Sequence, residues 1–276
     1  MRISVAISFL IFITSLTHES FVIATGKTVH GRITGGTPAA IGEFPHVVAI
    51  KVDKEFRCGG FIYNERWVIT TASCVYGFTN LLDRVTVEAG VVSLDSTSVP
   101  SQQLIRIESF HVYDSYDESL TGPLHDLALI QTNSPFIFDS NVNFSYYDEL
   151  SQNPEQLIFT GWGSTTGVNG GLYSNELQNA TITLNNNSTI CQLAYEIYNN
   201  AYMICTGDEL DHASPCYYDE GSPLMQNGFV VGVMSRNKGC DAAGTIEPTI
   251  FTRLSPYYNW ISTTAGLQPV LSNLSL

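Results

Sequence analysis

The sequence is poor in positive charge: 276 residues carry 12 Lys and Arg against 26 Asp and Glu, a formal net charge of −14. Setting aside residues 1–32 removes Arg2, Lys27, Arg32 and Glu19 and leaves −16. Nucleic acid and anionic membrane surfaces both demand cationic protein surface, so neither is an expected partner. No CxxC or other tight Cys/His spacing occurs, so no metal site is expected, and no cofactor. Beyond the first residues no apolar run is long enough to cross a bilayer. Helical and strand-like segments do not alternate regularly, which argues against a parallel α/β sheet. Internal repeats and long low-complexity linkers are also missing.

What is present begins with Arg2 and a short apolar run, Ile3 to Leu16, broken only by Ser4, Ser8, Thr14 and Ser15. That is the pattern of a secretory signal peptide, expected over residues 1–20 with cleavage somewhere in 16–26. The protein is therefore read as secreted and extracellular. In an oxidising compartment the six cysteines, Cys58, Cys74, Cys191, Cys205, Cys216 and Cys240, favour three disulfides, although 15 pairings are formally open. Glycosylation sequons start at Asn143, Asn179, Asn186, Asn187 and Asn273; the adjacent Asn186 and Asn187 are not expected to be occupied together.

From Arg32 onward the chain is a series of short runs rich in Val, Ile, Phe and Tyr, separated by Gly, Pro and Asn. HVVAIKV, WVITTA, DRVTVEAG, LIRIESF, LALIQT, QLIFTGWG, NATITL, GFVVGVMS and TIFTRL are all such runs. Frequent short strands with turn signals between them predict an all-β sandwich or barrel. Two stretches read as helical: STICQLAYEIY, where Ile190, Leu193, Ala194 and Ile197 can share a face, and SPYYNWISTTAG near the C-terminus. The length suits one compact unit or two tightly joined halves.

Several segments occur in a familiar order. GRITGG at 31–36 resembles the activation junction of chymotrypsin-like (S1) serine proteases. RCGGFIYNERWVITTASCV at 57–75 resembles their CGGSLI…WVLTAAHC, and HDLALI at 125–130 their NDIALL. GWG at 161–163, CYYDEGSPL at 216–224, GVMSRNKGC at 232–240 and PTIFTRLSPYYNWI at 248–261 resemble GWG, CxGDSGGPL, GIVSWGxGC and PGVYTRVxxYxxWI. The resemblance implies two six-stranded antiparallel β-barrels with a C-terminal helix, over a homology domain of 33–276. It implies the pairs Cys58–Cys74, Cys191–Cys205 and Cys216–Cys240, leaving no cysteine over. It makes 21–32 a short activation propeptide cut between Arg32 and Ile33, whose new amine would pair with Asp219; Thr34 stands where valine is usual.

The same resemblance exposes departures at the chemistry. Acyl transfer in this family uses a hydroxyl nucleophile, an imidazole base and a buried carboxylate. Asp126 fills the carboxylate position, but the imidazole position is Ser73 and the nucleophile position is Glu220. A serine hydroxyl cannot serve as a base near neutral pH, and a carboxylate is a poor nucleophile toward an amide. Tyr218 replaces an oxyanion-hole glycine, so the hole is not expected to be preorganised; Ser222 replaces a glycine nearby. At the substrate pocket, Ser214 lies at the base, Asn237 and Thr249 replace wall glycines, and Arg236 replaces an aromatic shelf. These changes predict an inactive protease homologue of the kind known among mites and insects. It would be a monomer that acts by protein binding, as a decoy or regulator in an extracellular proteolytic or host-defence cascade. The alternatives are a hydrolase working through Glu220 and Asp126, with His125 adjacent, or a passive secreted glycoprotein.

Overall fold

The computed structural model describes residues 36–95, 99–118, 124–148, 156–164, 172–185, 188–207, 213–240 and 248–268. The first six long strands are β2 (Val47–Val52), β3 (Glu55–Asn64), β4 (Trp67–Thr70), β5 (Val85–Ala89), β6 (Gln103–Val112) and β7 (Ala128–Thr132). They close into an antiparallel barrel in the order β2-β3-β4-β7-β6-β5. Alternation puts Ile105 and Ile107 of β6 inside while Leu104, Arg106 and Glu108 face out. Asp53 and Lys54, both at positive φ, make the tight connection between β2 and β3.

The second six are β8 (Leu157–Gly161), β9 (Gln178–Ile182), β10 (Met203–Thr206), β11 (Pro223–Gln226), β12 (Phe229–Arg236) and β13 (Thr249–Arg253). Their order is β9-β8-β11-β12-β13-β10, and the short β1 (Thr37–Pro38) adds a seventh strand on β9. Each barrel has its own apolar core. A third cluster joins them: Phe61, Ile69 and Leu129 from one side meet Met225, Val230 and Val233 from the other. The C-terminal helix α3 (Tyr258–Ala265) seals this seam with Ile261 and Ala265, one turn apart. At the opposite seam the fully buried Trp162 meets Phe56 edge-on at 5.8 Å and donates from Nε1 to Val92 O; such ring pairs contribute about 1 kcal/mol beyond area.

All nine quoted runs form strands. β3 was not anticipated because Gly59 and Gly60 interrupt its apolar pattern. The reason for glycine at 59 is contact: a Cβ there would sit 2.0 Å from Ser222 Oγ. The bare backbone lets the 216–222 loop lie against β3, and Gly59 N donates to Glu220 O at 2.8 Å. The helix expected over STICQLAYEIY is shorter, α2 spanning Ser188–Ala194. Its inner face is also not the one expected: Leu193 is 82% exposed and Ile190 44%, while Cys191 and Tyr195 are buried. The disulfide to Cys205 turns Cys191 inward, which leaves Ile190 and Leu193 toward solvent. The three disulfides pair as the resemblance implies, Cys58–Cys74, Cys191–Cys205 and Cys216–Cys240.

Candidate functional site

Asp126 enters from the loop before β7 and is fully buried. Thr252 Oγ1 holds its backbone carbonyl at 2.8 Å. Its carboxylate accepts from Ser73 N at 2.8 Å, from Ser73 Oγ at 3.0 Å and from Ser235 Oγ at 2.6 Å. The one-turn helix α1 (Ala72–Val75), fixed by Cys74, presents Ser73 for this contact. Burial raises the Asp126 pKa; the bonds from Ser235 and Ser73, and the charge of Arg236, oppose the rise. The carboxylate thus orients a hydroxyl that has no means of accepting a proton near neutral pH.

No hydrogen bond joins His125 to the Asp126 carboxylate. At φ +65 it turns away from the carboxylate beside it, and its Nδ1 lies 2.8 Å from Tyr257 Oη. Tyr113, Tyr202 and Tyr257 enclose the ring, and burial lowers its pKa.

Glu220 is half-buried on the wall of a cleft of about 390 Å³ that it shares with Arg57, Cys58, Ser73, Tyr217, Tyr218 and Ser235. Burial raises its pKa; the neighbouring backbone at Glu220 and Tyr218 and the charge of Arg57 lower it, and Asp126 pushes it up again. Tyr218 adopts φ +75, a left-handed conformation that glycine takes without strain. Glu220 and Asp126 share no hydrogen bond; Asp126 is held by Ser73 and Ser235.

Asp219 is fully buried behind the cleft, accepting from Gly163 N and Cys216 N, both at 2.8 Å. A Cβ at Gly161 or Gly163 would lie 2.1 Å from its oxygens, so the GWG glycines form its niche. Burial pushes its pKa up to about 8. Its expected partner Ile33, like Arg32, lies outside the described residues. At the pocket, Asn237 Nδ2 reaches across to Pro215 O at 3.4 Å, and Ser214 Oγ bonds the same carbonyl at 3.2 Å. Ser214 and Thr249 are 6% and 1% exposed and do not line the cleft. Arg236 is half-buried beside Ser235, with no hydrogen bond to its Nε. Among the described residues no group of three or more His, Cys, Asp or Glu could hold a metal ion.

Residues 33–261 match the family model described as Trypsin. The chain belongs to the trypsin family. A trypsin of Tyrophagus putrescentiae is 30% identical over 246 residues, covering 87% of this chain and 82% of the relative. Rabbit (Oryctolagus cuniculus) coagulation factor IX is 30% identical over 241 residues, with 83% of each covered. Among solved structures, neuropsin, a serine protease of mouse brain, superposes with a TM-score of 0.72 at 25% identity, over 83% of this chain and 98% of that one.

Within this trypsin-family frame Ser73 and Glu220 line one cleft, and the buried Asp126 lies behind Ser73, bonded to it. Two cleft residues were missed, Arg57 and Tyr217; the cation directly before the CGG segment was the available signal for the first. Of the sequons, Asn186, Asn187 and Asn273 lie outside the described residues. Asn143 is half-buried and accepts from Phe144 N. Asn179 lies on β9, where its Nδ2 donates to Thr37 O on β1 at 3.3 Å, so a glycan there must displace that bond.

Proposed function

We propose that this trypsin-family protein is secreted and acts by binding rather than by hydrolysis, engaging a protein component of an extracellular proteolytic cascade. The observation that carries the reading is Ser73, whose hydroxyl meets the buried Asp126 carboxylate at 3.0 Å where the family's chemistry needs an imidazole. Three further features support it. Glu220 stands on the cleft wall at the position of the attacking hydroxyl. The bond from Asn237 to Pro215 narrows the slot for a substrate side chain. Three disulfides suit an oxidising compartment, and no described helix is long and apolar enough to cross a membrane. The relative named as a coagulation factor makes a cascade component the first partner class to try.

The test uses the secreted chain, intact and cut at Arg32. A fluorophosphonate probe, which needs an activated serine, is expected to leave both forms unlabelled, and a peptide library uncleaved. Labelling of the cut form would falsify the reading. Pull-down from plasma or haemolymph with each form identifies the partner; clean blanks from both favour the passive glycoprotein.

A further inference from the structure

The cleft of about 390 Å³ gathers two hydroxyls and a carboxylate, and the hydrogen bonds behind it fix which way the hydroxyls face. Ser73 Oγ and Ser235 Oγ both donate to Oδ2 of the buried Asp126, at 3.0 and 2.6 Å. A hydroxyl carries one proton, so each serine has only lone pairs left to offer the cleft. Thr71 Oγ1, 3.2 Å from Ser73 Oγ, occupies at most one of them. Glu220 adds a half-buried carboxylate, and among the described residues it forms no ion pair. Arg57 lines the same cleft, yet its guanidinium lies over the Phe78 ring, 5.7 Å from the centroid. A carboxylate partly withdrawn from water and without a counter-charge favours any cation that reaches it.

We propose that this cleft receives the cationic head of one basic side chain of a partner protein, seated on the Glu220 carboxylate and the oxygens of Ser73 and Ser235. The match is one of charge and of hydrogen-bond sense. Bonds with an ionised partner are about twice as strong as neutral ones, so a neutral donor gains less here than a cation. A cation without N–H groups leaves the two serine oxygens unmet. A lone carboxylate with two hydroxyls is also too poor a donor set for a metal ion. The net charge of −14 draws basic partners toward the molecule from a distance. The site is separate from the slot for a substrate side chain, since Ser214 and Thr249 are buried and do not line the cleft. The inference rests on the binding role proposed above and names the chemistry of the group that is bound.

The experiment titrates the full secreted chain with methylguanidinium at constant ionic strength, reading the amide resonances of Ser73 and Glu220. N-methylurea, which has N–H donors and no charge, and tetramethylammonium, which has charge and no donor, serve as controls. Methylguanidinium is expected to give saturable shifts with a Kd on the order of 10 mM or tighter. Both controls should bind at least about tenfold more weakly. Glu220→Gln should weaken methylguanidinium at least about tenfold. Arg57→Met should tighten it about threefold or more, because the resident cation of the cleft is removed; this second variant keeps the test decisive if the first disturbs the loop. Equal response to all three probes, or an affinity that neither variant changes, overturns the proposal. The pull-down is then repeated with Glu220→Gln. Loss of the partner supports the proposal, whereas equal capture overturns it and leaves the binding role standing. A blank from the unsubstituted chain fails the binding role itself, and the titration then decides the cleft alone.

Discussion

At the scale of single residues, the proposed loss of turnover rests on separate positions: Ser73 stands where the family's chemistry needs an imidazole, Glu220 where it needs a hydroxyl, and Asn237 bonds Pro215 O at 3.4 Å. Restoring two of these residues should therefore not restore the reaction. The Ser73→His, Glu220→Ser double variant, cut at Arg32, is expected to stay more than about 10³-fold below an intact triad in turnover of a peptide library. Robust cleavage by that variant would show that Asn237 leaves room for substrate. The positions of these substitutions were legible in the sequence because the segments around them keep their order. The loop's conformation was not, because nothing in the sequence told that Tyr218 would hold φ +75 where glycine is usual.

At the scale of elements, β3 shows how packing overrules local pattern. Two adjacent glycines weaken a strand taken alone, yet β3 pairs along its length with β2 and lets the 216–222 loop rest on it. Gly59→Ala should destabilise the fold by about 1–3 kcal/mol, as overpacking does; the midpoint of a denaturant transition measures it, and an unchanged midpoint would mean the loop yields. Strand identity elsewhere was readable because β6 alternates with period two and strands such as β2 and β7 are short apolar runs between turn signals. α2 was misread for the converse reason. Periodicity assigned Leu193 to the inside, but the cross-link at Cys191 sets the rotation of so short a helix.

At the scale of the whole molecule, Asp219 couples stability to pH. Its folded pKa of about 8 lies far above the ordinary carboxyl value near 3.9. The folded state therefore holds a proton that the unfolded chain releases, and stability falls as pH rises from about 4 through 8. His46, with its pKa lowered by burial to about 4, acts in the opposite direction between about 4 and 6.5. The cleanest window is thus pH 6.5 to 8, where the uncut chain should lose about 1–2 kcal/mol. Asp219→Asn should flatten this slope, and so should cleavage at Arg32 if the new amine reaches the niche. Thermal melts of the three proteins across that window decide it; identical slopes would remove Asp219 from the account. A different consequence follows from where the cross-links fall. Each joins cysteines 14 to 24 residues apart, one within the first barrel and two within the second, so no covalent tie other than the main chain connects the halves. A single nick between Asp148 and Leu157 would leave a molecule that stays whole in native buffer, yet parts into two bands on a detergent gel run without any thiol.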